Sequence, residues 1–283
     1  MNRWQIGDVV INRFVEMETV SKATFVLPDA TPENVKREAD ALLPHFCDET
    51  GRVRMSIHAL TLESKGKRIV VDTCIGNDKK RGFEGWNQLH TNFLNDLEKG
   101  GFPPDSFDYV ICTHLHVDHV GWNTRLMGER WIPTFTRARY LFGRAEWNHW
   151  SAEQDRFIKD PIDDSVRPIV DAGLADLVDD NHRVTDEIWL EPTPGHTPGH
   201  FSVRISSRGQ EAVITGDLMH HPIQCIHPEW NCGFDAIPDL ARSTRRSFLE
   251  RYADRPVTVF GTHFATPSCG RILKNGAAWR FQV

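Results

Sequence analysis

The chain has 283 residues, 40% of them hydrophobic, and a formal net charge of −6 at pH 7. This length and composition suffice for one large globular domain or two smaller ones. The acidic balance, without runs of lysine or arginine, argues against nucleic-acid binding and favours a small-molecule substrate. No apolar run approaches the roughly 18 residues needed to cross a bilayer, so we expect no membrane partner.

The N-terminus and the cysteines indicate the compartment. Residues 1–14 lack the long apolar core of a signal peptide. The six cysteines are scattered without a Cys-x-x-Cys pair, which is typical of reduced thiols. We therefore expect a cytoplasmic protein. The N-terminal extension, residues 1–30, is interpreted as a lid or a subunit contact, and a homodimer and a monomer both stay open.

The predicted elements alternate between helices and strands along the chain. Thr31-Pro32 predicts the start of a helix, and apolar residues at helical spacing predict helices over 86–98 and 238–253. Short runs rich in Val and Ile, bounded by Gly, Pro or Asp, predict strands. These runs are 67–73, 107–113, 187–193, 200–206, 211–217 and 256–262. This mixture, without a linker, indicates one α/β domain over residues 1–283.

Metal-capable side chains follow four of the predicted strands. His114 and His116 come after the strand at 107–113, and His196, Asp217 and His263 each come at the end of a later strand. A sheet holds the residues at its strand ends rigidly. A site that needs accurate placement of its side chains is therefore expected at this rim.

The run His-Leu-His-Val-Asp-His at 114–119 has the spacing of a metal-binding segment. In an extended segment His114 and His116 point the same way, because side chains alternate. Asp118 and His119 follow as the chain turns toward a helix, and they address a second point in space. Imidazole and carboxylate donors without cysteine suit an open Zn, Fe, Mn or Co site rather than a closed structural zinc site.

The donors are numerous enough for two metal ions with positions left for water and substrate. The complete predicted set is His114, His116, Asp118, His119, His196, Asp217 and His263. A carboxylate such as Asp217 can bridge two cations through its two oxygens. We therefore predict metal-assisted hydrolysis by a hydroxide that bridges two divalent cations, with zinc as the first expectation.

The motifs resemble, in their order, the metallo-β-lactamase-fold hydrolase superfamily. The matching positions are Asp72 in VVDT, the THLHVDHVG segment at 113–121, His196 in PGHTPGH, Asp217 in TGD and His263 in GTHF. The resemblance implies an α/β fold, the αββα four-layer sandwich, with the dinuclear metal site at the edge of the sheets.

The resemblance also implies a role for each donor. By this resemblance, one ion would be bound by His114, His116 and His196. The other ion would be bound by Asp118, His119 and His263, and Asp217 would contact both ions. Asp72 would brace the histidine-rich segment, and His200 would pack or support a ligand. Asp118 would carry a proton to the leaving group.

The substrate does not follow from the fold, because this superfamily supports many reactions. Asp217 argues against a true β-lactamase, and the acidic charge argues against an RNA-processing nuclease. The nearest resemblance is to the lactonase and methyl parathion hydrolase-like branch, which implies cleavage of a lactone or ester. A phosphotriester (organophosphate) hydrolase stays open, then a thiolester hydrolase or a mononuclear-iron sulfur dioxygenase.

Position 220 departs from the lactonase pattern. Acyl-homoserine lactonases have a tyrosine three residues after the bridging aspartate, where this chain has His220. Its imidazole could donate to an oxyanion or a leaving alkoxide, so we predict a catalytic role for His220 beside that of Asp118. Aromatic residues flanking the motifs predict an apolar pocket and an apolar or aromatic substrate. They are Phe83, Trp86, Trp122, Phe142, Trp147, Trp150 and Trp230.

Overall fold

The computed structural model describes residues 2–153 and 160–283. Its helices are α1 (Pro32–Arg37), α2 (Ala39–Leu42), α3 (Phe93–Lys99), α4 (Val117–Val120), α5 (Arg144–Trp150), α6 (Arg167–Asp171), α7 (Ile223–Ile226) and α8 (Pro238–Tyr252). A π-helical turn at Ile162–Val166 precedes α6. Within the described ranges, none of the helices is both long and apolar enough to traverse a bilayer.

Two seven-stranded sheets contain most of the strands. One has the order β1-β2-β3-β4-β5-β8-β9, the other has the order β10 to β16 in sequence, and β6 pairs with β7 in a hairpin. The strands are β1 (Asn2–Ile6), β2 (Val9–Ser21), β3 (Val53–Ser64), β4 (Lys67–Val71), β5 (Tyr109–Cys112), β6 (Thr124–Met127), β7 (Arg130–Pro133), β8 (Arg139–Gly143), β9 (Ala175–Val178), β10 (Arg183–Thr185), β11 (Ile188–Pro192), β12 (Phe201–Ser207), β13 (Gln210–Ile214), β14 (Val257–Phe260), β15 (Cys269–Asn275) and β16 (Ala278–Gln282).

The described chain divides into two compact units. The first contains the N-terminal segment through Glu16 and Ile57–Glu187, and the second contains Met17–Ser56 and Ile188–Val283. Apolar side chains of β4, β5 and β8 are buried in the first unit. In the second unit, α8 packs its apolar face on a core formed with β13, β14 and the C-terminal strands. A single domain over the whole chain stays a prediction.

The six predicted strands are confirmed as β4, β5, β11, β12, β13 and β14. Strands β4 and β5 are parallel, as are β13 and β14. Because the carboxyl ends of parallel neighbours lie side by side, the first pair brings Asp72 to His114 and the second brings Asp217 to His263. The strand order thus builds one donor set in each unit.

The helix predictions are confirmed at two places and wrong at a third. The Thr31 hydroxyl accepts a hydrogen bond from the Asn34 N–H at 3.3 Å and caps α1, and α8 occupies the range predicted at 238–253. The helix predicted over 86–98 begins only at Phe93. The Asn77 side chain binds the N–H and the carbonyl of Thr91, at 2.7 and 3.0 Å, which holds the preceding residues in a non-helical loop.

Candidate metal centre

The first unit brings together four predicted donors, at the end of β5 and in α4. The ring centroid of His114 lies 4.0 Å from that of His119 and 4.7 Å from that of His116. The Nε2 atom of His119 is 3.6 Å from Oδ1 of Asp118. His114 and His119 are buried, whereas His116 and Asp118 are half-buried. The predicted turn into a helix is confirmed by α4, which positions the last two donors.

Asp72 braces this segment from the end of β4. Its carboxylate accepts hydrogen bonds from the Thr113 N–H at 2.8 Å and the Thr113 hydroxyl at 3.0 Å, and one of its oxygens lies 3.0 Å from Nδ1 of His119. The Thr113 oxygen in turn lies 3.1 Å from Nδ1 of His114. Asp72 has a left-handed φ of 56°, a conformation that is uncommon for residues other than glycine and that clusters at functional sites. Because Nδ1 of His114 and Nδ1 of His119 each lie beside a protein oxygen, Nε2 is the nitrogen through which either ring would bind a cation.

Glu146 in α5 is a fully buried carboxylate that supports the same segment. It accepts hydrogen bonds from the Leu115 N–H at 3.2 Å and from Nε1 of Trp150 at 2.8 Å. The Trp150 ring lies 5.5 Å from that of His116. Because Leu115 stands between His114 and His116, Glu146 fixes the backbone of this pair. Nothing in the sequence around Glu146 distinguishes it from an ordinary helix glutamate.

The second unit places Asp217 among three histidines. Asp217 lies in a short 3-10 turn directly after β13. Its Oδ1 is 3.2 Å from Nε2 of His263, and its Oδ2 is 3.4 Å from Nε2 of His196 and 3.2 Å from Nε2 of His220. The two carboxylate oxygens thus face different imidazoles. This arrangement suits a carboxylate shared by two cations.

In two of these imidazole rings, the nitrogen that does not face Asp217 binds a protein oxygen. Nδ1 of His196 donates to Oδ1 of Asp235 at 2.9 Å, and Nδ1 of His263 donates to the Ser56 carbonyl at 3.1 Å. Such contacts fix the tautomer and turn Nε2 toward a metal. Burial raises the pKa of Asp235, although His220 and Arg245 oppose the shift. Asp235 was not among the predicted residues, because a single aspartate in a loop carries no sequence signal.

Two further histidines near this site, His200 and His221, form hydrogen bonds to main-chain atoms. Nε2 of His200 accepts the Asp217 N–H at 2.8 Å, and its Nδ1 lies 2.9 Å from the Thr193 hydroxyl. His200 therefore supports a predicted ligand, as the resemblance implies. His221 is fully buried and donates from Nε2 to the Phe46 carbonyl at 2.8 Å. Burial lowers the pKa of His221 to about 4, so this ring is neutral.

His220 is buried beside Asp217 and Cys232. Its ring stacks on that of His263, with centroids 5.5 Å apart and planes 11° from parallel. Burial alone would lower the pKa of His220, but the neighbouring Cys232 and Asp217 outweigh burial and raise the pKa well above its ordinary value. His220 is thus close enough to the predicted donors to act on the same substrate.

The aromatic residues predicted to line a pocket have different environments. Trp150 contacts His116, as described above. Phe142 is fully buried in β8, and Trp122 is buried with its Nε1 donating to Glu16 at 2.6 Å. Phe142 and Trp122 thus pack inside the first unit, and an apolar pocket lined by the other aromatic residues stays a prediction.

Residues 54–263 match the sequence profile of the metallo-beta-lactamase superfamily, a range that contains both donor sets. The chain belongs to the metallo-β-lactamase superfamily. Among characterised superfamily members, it is 26% identical over 170 residues to an N-acyl homoserine lactonase of Bacillus thuringiensis, covering 59% of this chain and 60% of that protein. A lactonase of Bacillus cereus is 25% identical over 167 residues, covering 58% and 59%. The chain thus spans about 60% of the length of these relatives.

Solved structures of superfamily members resemble the whole chain. AidC, a dizinc quorum-quenching lactonase, superposes with a TM-score of 0.83 at 20% identity, covering 99% of this chain and 96% of that one. The hydrolase AbOPH of the beta lactamase superfamily gives 0.80 at 20% identity, with the same coverage. The predicted fold class, the αββα metallo-β-lactamase fold, is confirmed.

Proposed function

We propose that this superfamily member is a dinuclear metallo-hydrolase that opens a lactone or an ester with an apolar or aromatic substituent. One observation carries the proposal. In four predicted ligands Nδ1 lies beside a protein oxygen, so Nε2 is the nitrogen that would bind a cation. They are His114, His119, His196 and His263. Family membership and the similarity to N-acyl homoserine lactonases support lactone hydrolysis.

We propose that the two donor sets bind two divalent ions jointly. One ion is assigned to His114, His116 and His196, the other to Asp118, His119 and His263, with Asp217 shared. Nitrogen and oxygen donors of this kind suit Zn, Fe, Mn or Co, and the fold likeness to a dizinc lactonase favours zinc. When bound, two such ions lower the pKa of a water molecule and polarise a scissile carbonyl.

The chain's own residues complete the proposed chemistry. Asp118 is half-buried next to His119, so its carboxylate can take a proton and pass it to the leaving oxygen. His220 can donate an N–H to the oxyanion or to the leaving alkoxide, because its ring lies against Asp217 and His263.

Metal content and hydrolysis measured on the same samples test the proposal. The purified protein should bind about two zinc ions per chain and cleave aryl esters or lactones, and chelation should abolish both. His116→Ala and Asp217→Asn should each lose metal and activity. His90→Ala is the matched control, because the His90 side chain is 77% exposed. Full activity in metal-stripped protein, or in either ligand variant, would refute the proposal.

The substrate panel separates the alternatives. Cleavage of neutral aryl esters and lactones supports the proposed class. Activity confined to phosphotriesters would favour an organophosphate hydrolase, and activity confined to charged thiolesters would favour a thiolester hydrolase. One iron per chain together with oxygen consumption would favour a sulfur dioxygenase.

Location and assembly are also part of the proposal. The net charge of −6 supports a small-molecule substrate rather than a nucleic-acid or anionic-membrane partner. We propose a cytoplasmic homodimer. Cell fractionation and light scattering on the purified protein test the two statements separately.

A further inference from the structure

The second unit contains a sulfur donor beside its predicted ligands. His196, His220 and Cys232 each offer one ligand atom, and these three atoms lie within 4.8 Å of one another. All three side chains are more than nine-tenths buried, with exposed fractions of 3%, 4% and 3%. Among the described residues, Nδ1 of His220 has no nitrogen or oxygen hydrogen-bond partner, and the Cys232 side chain interacts with this ring.

Asp235 fixes two of the three residues with one carboxylate. Its Oδ1 accepts from Nδ1 of His196 at 2.9 Å, and its Oδ2 accepts from the Cys232 N–H at 2.9 Å. The Phe234 N–H donates to the Cys232 sulfur at 3.4 Å. His220 is held through its own N–H, which donates to Gln224 at 2.7 Å. The cluster is therefore built into the fold rather than formed by mobile surface side chains.

We propose that Cys232, His220 and His196 form a thiolate-containing site for soft divalent cations such as Cd²⁺. Two imidazoles and one thiolate are donors that thiophilic metals prefer over the nitrogen and oxygen set of the hydrolase centre. Ligand atoms around a tetrahedral ion lie about 3.5 Å apart, so the site closes by a shift of roughly 1 Å. On binding, the S–H bond breaks, a sulfur–metal bond forms and the proton goes to solvent.

His196 cannot serve this site and the proposed dinuclear centre at the same time. Nδ1 of His196 is engaged by Asp235, so only Nε2 is offered to a metal. A soft cation on Cys232 therefore withdraws His196 from the zinc pair. This consequence, inhibition by cadmium, rests on the proposed function, whereas the metal site itself does not.

Cadmium titration of the chelator-treated chain tests the site directly. A thiolate-to-cadmium charge-transfer absorption should appear in the ultraviolet and saturate at one thiolate per chain. Cys232→Ser should lose it, and Cys225→Ser should keep it, because Cys225 is a buried free thiol near Met219 rather than in this cluster. His220→Phe should weaken cadmium binding by about tenfold or more.

Two further measurements separate the site from the proposed hydrolase and from misfolding. His116→Ala removes a ligand of the first unit and should leave the absorption unchanged, because the three donors all belong to the second unit. In the wild-type chain, the ¹¹³Cd NMR resonance should have the shift of mixed sulfur and nitrogen ligation even if Cys232→Ser does not fold. An absorption that persists in folded Cys232→Ser, or a shift typical of oxygen and nitrogen ligands alone, would overturn the proposal.

Discussion

Nδ1 of His119 lies 3.0 Å from a carboxylate oxygen of Asp72, and both side chains are buried. The same carboxylate binds the backbone and the hydroxyl of Thr113. One aspartate at the end of β4 therefore sets the position of one proposed ligand and of the strand end from which other proposed ligands follow.

Asp72→Asn should weaken zinc binding by about 10- to 100-fold, since an amide of the same size lacks the charge that orients His119. Competition with a chromophoric chelator measures the change. Asp105→Asn removes an exposed aspartate of the same unit and should have no effect. An unchanged affinity in Asp72→Asn would show that the contact does not support the ligand.

Glu146→Gln should lower the free energy of unfolding by about 1 kcal/mol, because the amide oxygen is a weaker acceptor than the carboxylate for the Leu115 N–H and the Trp150 Nε1–H, which both bind Oε2. Urea denaturation measures this loss, and zinc competition should show a parallel loss of affinity. Glu84→Gln, at an exposed position of the same unit, is the control. Full stability in Glu146→Gln would contradict a role for the charge.

Gly121→Ala should destabilise the protein by about 3 kcal/mol or more. An added Cβ would lie 1.7 Å from the Ile75 carbonyl oxygen, and the Gly121 N–H binds the Cys74 carbonyl at 2.7 Å, so the backbone cannot move away. Gly128→Ala is the matched control. Beyond its two chain neighbours, the described part of the chain has no atom within 4 Å of the added Cβ, so only the strain of φ +63° is left, about 1 kcal/mol. Equal losses at the two positions would contradict the steric argument.

Lys79 should make stability depend on pH above neutrality. Its buried Nζ lies 2.6 Å from the Thr124 hydroxyl, 3.5 Å from Asp164 and 3.7 Å over the Trp131 ring. Burial lowers the pKa of Lys79 to about 7 from its ordinary value of 10.5. Between these values the unfolded chain holds a proton that the folded chain has released. The free energy of unfolding should therefore rise with pH in this window, by up to about 1.4 kcal/mol per pH unit.

Lys79→Met should flatten this rise, whereas Lys80→Met, at an exposed neighbour, should leave it intact. Urea denaturation at several pH values across the window measures both slopes. A wild-type slope that survives in Lys79→Met would assign the pH dependence to another group.

His220→Phe should lower kcat by about 100-fold or more with a smaller change in KM, because the lost N–H acts on charge that develops in the transition state. His220→Tyr should retain more activity, since a phenol hydroxyl can also donate. Steady-state kinetics on an aryl ester or a lactone distinguish the two variants. Equal losses, or a change confined to KM, would indicate a role in substrate binding alone.

The sequence was sufficient to predict the strands that end at the proposed donors, whereas the donors themselves stay a prediction. Val- and Ile-rich runs ending in His or Asp identify β4, β5, β13 and β14, because burial on a sheet and metal ligation select different residue types at adjacent positions. The pairing of these strands follows from the fold class, which the order of the motifs indicated.

The supporting carboxylates could not be predicted, because each one acts across a long sequence separation. Asp235 lies 39 residues from His196, Glu146 lies 31 residues from Leu115, and only folding brings them together. The late start of α3 has a similar cause. The Asn77 side chain binds the main chain of Thr91 in place of a helical hydrogen bond. The spacing of apolar residues along the sequence contains no information on such a contact.

His200 holds Asp217 by its main-chain N–H, at 2.8 Å, and not by its side chain. The contact that holds the turn after β13 is therefore open to any residue at position 217 except proline, which has no main-chain N–H. In evolution, or in the laboratory, one codon change at 217 can replace the shared oxygen donor by a softer or a neutral group without remodelling the loop. The metal preference of the proposed site is thus separable from the architecture of this turn, and selection can alter the first while the second stays constant.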